Sequence, residues 1–71
     1  MNKSLEELRD DYIKELAEVE KKIEDTKKRL KQALQQKEMT EAHRLERLLF
    51  VHQDIKADFE FNIKQLNYYF E

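Results

Sequence analysis

The sequence predicts an all-α protein, an antiparallel two-helix hairpin that pairs into a coiled-coil-like four-helix bundle. Three observations carry the fold. The 71 residues contain no glycine and no proline, which removes the usual material of tight turns and β-hairpins. Charged residues make up 42% of the chain, and Leu, Glu, Lys, Gln and Ala are abundant in it, the bias of long amphipathic helices. Two apolar stripes follow one another at helical spacing, and they are out of phase.

The first helix is predicted over residues 4–36. Ser4-Leu5-Glu6-Glu7 is a capping-box pattern, in which the Ser4 hydroxyl accepts from the Glu7 amide and the Glu7 carboxylate reaches back to the Ser4 amide. From there Leu5, Leu8, Tyr12, Leu16, Val19, Ile23, Thr26, Leu30 and Ala33 recur at steps of three and four, with one stutter around Tyr12 to Leu16. Ile13 and Leu34 widen this seam.

A turn is predicted at about 36–39. Were the first helix to continue in phase, its next seam positions would be Lys37, Thr40, Arg44 and Arg47, all polar or charged. The stripe resumes on a different phase with Ala42, Leu45, Leu48, Leu49, His52, Ile55, Phe59, Ile63, Leu66 and Phe70, which defines a second helix over 39–70. The stretch ALQQKEMTEA, residues 33–42, resembles the inter-helix turn of a tetratricopeptide repeat. Ala33 and Leu34 close one helix, Met39, Glu41 and Ala42 open the next, and Lys37 stands where that turn has glycine. No second copy of the pattern occurs, so the resemblance implies a tight turn and not a repeat array. Glu38 or Thr40 is expected to cap the second helix, and Lys31 and Lys37 suit the negative end of the first. The alternative is one uninterrupted helix in an extended coiled coil, since no residue at 35–40 forbids helix outright.

The split gives two helices of about 32 residues, about 48 Å each at a 1.5 Å rise, within a single domain, 1–71. With the turn centred between residues 37 and 38, Leu5 should face Phe70, Leu8 Leu66, Tyr12 Ile63, Leu16 Phe59, Val19 Ile55, Ile23 His52, Leu30 Leu45 and Ala33 Ala42. Two helices leave these seams half wet, so a second pair is expected from a homodimer, in which one surface satisfies itself. A further line on the second helix, Phe50, Ala57, Phe61 and Tyr68, falls nearly opposite its seam at about 100° per residue. Phe50, Phe61, Tyr68 and Tyr69 are therefore the expected partner-binding residues.

Catalytic and metal chemistry find little to build on. The chain has no cysteine, hence no disulfide frame and no thiolate, as suits a reducing cytoplasm. Its start, MNKSLEELRDD, is too charged for a signal peptide, and no apolar run approaches a membrane span, so a soluble cytoplasmic protein with no membrane role is expected. His52 lies on a seam, but the lysine that follows a phosphotransfer histidine by three residues is here Lys56, four later. His43 has Arg47 one turn on. Thr40 and Leu49 replace the glutamates of a Glu-x-x-His metal motif. Sporulation phosphatase hairpins share this size, but their Ser-Gln-Glu-Leu-Asp signature is absent. No catalytic residue, cofactor or metal is expected.

Charge is distributed unevenly. Net charge is −2, yet residues 21–47 carry nine positive and five negative side chains while the remainder carries five and eleven. Lys21, Lys22, Lys28, Arg29, Arg44 and Arg47 gather toward the loop end of a hairpin. They support an alternative function as a nucleic-acid-binding hairpin dimer, similar to the small plasmid-regulating hairpins that bind paired RNA, with salt-sensitive affinity. Interleaved Glu24, Asp25, Glu38, Glu41 and Glu46, with a pI of about 5.7, favour instead a solvated, ion-paired surface. The expected function is a non-enzymatic protein–protein interaction module, an adaptor or regulator acting through a helical oligomer.

Overall fold

The computed structural model describes residues 4–70. It contains two helices, α1 (Leu5–Gln35) and α2 (Met39–Tyr68), of 31 and 30 residues, folded back on each other as a hairpin of 49 × 18 × 18 Å. A continuous rod is excluded, and the helix bounds fall within one or two residues of those expected.

The N-terminal cap is built from the expected serine. Ser4 is extended, with ψ at 161°, and its Oγ accepts from the Glu7 amide at 3.1 Å. This satisfies one of the amides left without a carbonyl at a helix start.

The turn is made without glycine. Gln36 caps α1 and Lys37 adopts the left-handed conformation, with φ at 58°. The Glu38 amide then donates to the Ala33 carbonyl at 2.9 Å, and the Lys37 amide to Leu34 at 3.2 Å. These two bonds define a Schellman motif, which normally places glycine where Lys37 stands. The Ala42 amide donates to the Glu38 carbonyl at 2.9 Å, so α2 begins directly after the turn. Glu38 is its N-cap residue, but no side-chain cap bond forms.

Packing follows the predicted seams along most of their length. Val19, Ile23, Thr26 and Ala33 of α1 and Ala42, Leu45 and Leu66 of α2 are buried. Ala33, Ala42 and Leu45 form a cluster beside the turn, with Leu30 packed on it. Small residues there let the backbones approach at the start of the hairpin. Thr26 is accommodated because its hydroxyl donates to the Lys22 carbonyl at 2.7 Å, so no unpaired polar group enters the seam.

Toward the open end the structure shows contacts that the level-for-level pairing does not include. Tyr12 meets Phe59, with ring centroids 5.8 Å apart, one turn from its expected partner Ile63. Side chains on facing helices fit between their opposites, which moves a contact by one turn from a level-for-level pairing. Leu5 stays exposed, and the Phe70 ring lies under the Arg9 guanidinium at 4.7 Å, a cation–π contact. Ile55 sits at the flank, 37% exposed, and Lys56 is half-buried in the seam instead. Its methylene stem can line the groove while the ammonium reaches water.

Candidate functional site

The outer surface of α2 differs from that of α1 because α2 is apolar on more than its packed side. Among the described residues eleven large apolar side chains remain exposed, and eight of them lie at or beyond Met39. Phe50, Phe61, Tyr68 and Tyr69 are 69%, 61%, 75% and 71% exposed, so all four predicted contact residues stand clear of the hairpin's own seam. Phe50, Phe61 and Tyr68 share one line with Ala57. Tyr69 falls about 100° further round, and its ring meets that of Tyr68 edge-on at 6.2 Å.

The structure adds residues to this surface. Val51, next to Phe50, and Met39, at the start of α2, are both 52% exposed. Met39 continues the Phe50–Tyr68 line back toward the turn, 11 residues before Phe50, whereas Val51 lies about 100° off it. Near the open end, Leu16, Ile63 and Tyr68 line an open groove of about 500 Å³ together with Glu60, Lys64 and Asn67. Arg9 donates to the Asn67 carboxamide oxygen at 3.4 Å, which ties the two helices together beside that groove. On α1, Leu30 and Leu34 form a smaller apolar patch flanked by Lys27, Lys31 and Gln35.

The basic residues are not gathered into one concave surface. Lys21 and Lys28 line a shallow trough on α1 with Ala17, Glu20, Glu24 and Asp25, whereas Arg44 and Arg47 line another on α2 with Thr40 and His43. Carboxylates engage two of the three arginines of this set: Arg29 approaches Asp25 at 3.2 Å, and the Arg44 guanidinium donates to both oxygens of Glu41, its Nε at 3.0 Å. The hydrogen bonds from Arg44 hold the Glu41 carboxyl below its ordinary range, and the positive charges of Arg44 and Arg29 add to the effect. The same hydrogen bond raises Arg44. Exposed pairs of this kind contribute little to stability.

The two histidines differ in setting. His43 Nδ1 lies 3.7 Å from Glu46 on the exposed face of α2, and His52 is half-buried in the seam, as its stripe position requires. Among the described residues no group of three or more His, Cys, Asp or Glu side chains is placed to hold a metal ion, and no helix is long and apolar enough to cross a membrane. No protein-family model matches the chain, and no curated protein and no solved structure gives a significant match.

Proposed function

We propose that this chain is a small non-enzymatic protein–protein interaction module, an adaptor or regulator that acts by self-associating into a four-helix assembly. The observation that carries the reading is the second apolar surface of α2. A helix that only covers one neighbour needs one stripe; apolar residues on the opposite side are expected of a helix with neighbours on both sides. Phe50, Phe61, Tyr68 and Tyr69 project large rings into water along the same helix. Each such ring gains on the order of 1.5–3 kcal/mol on full burial. Several large exposed rings aligned on one helix face are what a contact site requires.

The basic loop-end residues do not favour nucleic acid over this reading. Lys21 and Lys28 line one trough and Arg44 and Arg47 another, carboxylates interrupt the one on α1, and Arg29 and Arg44 are already held by Asp25 and Glu41.

Sedimentation equilibrium of the wild-type chain and of Phe61→Asp tests the proposal, with far-ultraviolet circular dichroism as the control. The wild type should be a dimer and the variant a monomer of unchanged helicity. A wild type that stays monomeric at every concentration refutes the self-association.

A further inference from the structure

The outer line of α2 has an internal symmetry that identifies what covers it. From Phe50 onward, taken at steps of four and three, the exposed positions opposite the seam are Phe50, Asp54, Ala57, Phe61, Lys64 and Tyr68, the spacing of a coiled-coil seam. Reversing the order of this set about Phe59 exchanges Phe50 with Tyr68, Asp54 with Lys64, and Ala57 with Phe61. Every exchange is complementary: aromatic with aromatic, carboxylate with ammonium, small with large. An isologous two-fold interface makes this demand of a surface, because residue i of one copy must suit residue j of the other while j suits i.

We infer that the outer face of α2 binds the same face of a second copy of this chain, antiparallel, about a two-fold axis level with Phe59. The inference rests on the self-association proposed above and fixes its partner surface and direction. In this arrangement Phe50 stacks near the partner copy's Tyr68 at both ends of the contact, and each Phe61 ring covers the space left by an Ala57. Two ion pairs, Asp54 with Lys64, form on either side of the axis. Both charges are available for it, since all six side chains of the line are exposed and neither Asp54 nor Lys64 forms an ion pair within the described hairpin.

The charge distribution disfavours a parallel pair but does not by itself select the antiparallel one, since a two-fold axis at Phe59 still overlaps the two acidic open ends. Residues 21–47 carry nine positive against five negative side chains, and the rest of the chain five against eleven. A parallel pair would set the two basic loop ends together and the two acidic open ends together, with like charges repelling at each end. The antiparallel pair holds the basic loops at opposite ends of the assembly. The four helices then form a layer in the order α1, α2, α2 of the second copy, α1 of the second copy.

Charge exchange and a distance measurement test this arrangement. Asp54→Lys places lysine against lysine at both sites, and Lys64→Asp places aspartate against aspartate. Either change should weaken dimerisation about tenfold at low salt. The double variant should recover, and an equal mixture of the two single variants should form a heterodimer in preference to either homodimer. Because the chain has no native cysteine, Gln36→Cys admits one spin label per chain without touching the interface. The two loop labels should lie about 60 Å apart, twice the rise from the turn to Phe59 at 1.5 Å per residue. A wild-type dimer whose loop labels lie close together, or whose double variant fails to recover, overturns the antiparallel register and leaves the self-association standing. A wild type that is monomeric overturns both.

Discussion

Replacing Lys37 by glycine should stabilise this protein, and the sign of the effect discriminates between the hairpin and a continuous helix. Lys37 holds φ at 58°, where its Cβ crowds the backbone at a cost of about 1–2 kcal/mol for a residue other than glycine. Glycine removes that cost but adds freedom to the unfolded chain, which returns about 0.4–1 kcal/mol. The net gain is about 0.5–1 kcal/mol. For a domain of this size each kcal/mol moves the thermal midpoint by about 4–8 °C, so a rise of about 2–8 °C is expected.

Lys37→Ala is the matched control. It deletes the same ammonium, whose attraction to the negative end of α1 contributes a few tenths of a kcal/mol, while keeping the Cβ that makes the left-handed conformation costly. In the hairpin, glycine must therefore exceed alanine in midpoint. In an uninterrupted helix the order reverses, since glycine is about 1 kcal/mol worse than alanine in a helix interior. Thermal melts followed by circular dichroism at one fixed protein concentration give the order directly, the fixed concentration being needed because self-association raises the midpoint by mass action. Alanine above glycine would refute the turn.

Leu45→Ala should cost about 2–5 kcal/mol in urea unfolding, because Leu45 is 1% exposed within the Ala33–Ala42 cluster; a loss below about 1 kcal/mol would mean the loop end repacks freely. Glu41 should titrate below the ordinary carboxylate range by NMR, and Arg44→Gln should raise its midpoint, since the Arg44 hydrogen bond is the main cause of the depression. Because the folded-state value is lowered, the stabilisation from this pair is present above the unfolded carboxylate value and is lost as pH falls through the folded one. Filter binding to duplex RNA at low and high salt should show no salt-dependent retention; retention that falls steeply with salt would restore the nucleic-acid reading.

The hairpin is legible in the sequence because its determinants are local. The Ser4 cap needs only Ser4 and the Glu7 amide three residues on, and the turn is marked by apolar stripes that change phase at Lys37 to Arg47. Ala33 and Ala42 pair beside the turn as expected because a tight connection leaves their level no freedom. Error grows with distance from that constraint. By Tyr12 the ring contact is with Phe59, one turn from the expected level, and at Phe70 there is a cation–π contact to Arg9 that a stripe of apolar residues does not foresee. Lys56 in place of Ile55 is a different failure. A wheel that scores whole residues cannot divide a lysine into an apolar stem and a charged tip. The aromatic line on α2 is visible as periodicity, and Met39 lies on its continuation toward the turn, whereas Val51 falls outside a one-stripe reading.

The asymmetry between the two helices follows from the positions they occupy in the proposed layer. The outer trough of α1, lined by Ala17, Glu20, Lys21, Glu24, Asp25 and Lys28, is the surface of a helix with water beyond it. The corresponding side of α2 carries Phe50, Ala57, Phe61 and Tyr68, interrupted by one charge of each sign, Asp54 and Lys64. Those two charges contribute little attraction, as exposed ion pairs do. Their larger effect is on alternatives: in a parallel arrangement in register, aspartate faces aspartate and lysine faces lysine, while the apolar rings would still meet. Aromatic burial then supplies the affinity and the charge pair selects the direction. Substituting both charges by alanine should accordingly leave a dimer of similar strength whose loop-to-loop distance is no longer single-valued, whereas Phe61→Asp removes the dimer altogether.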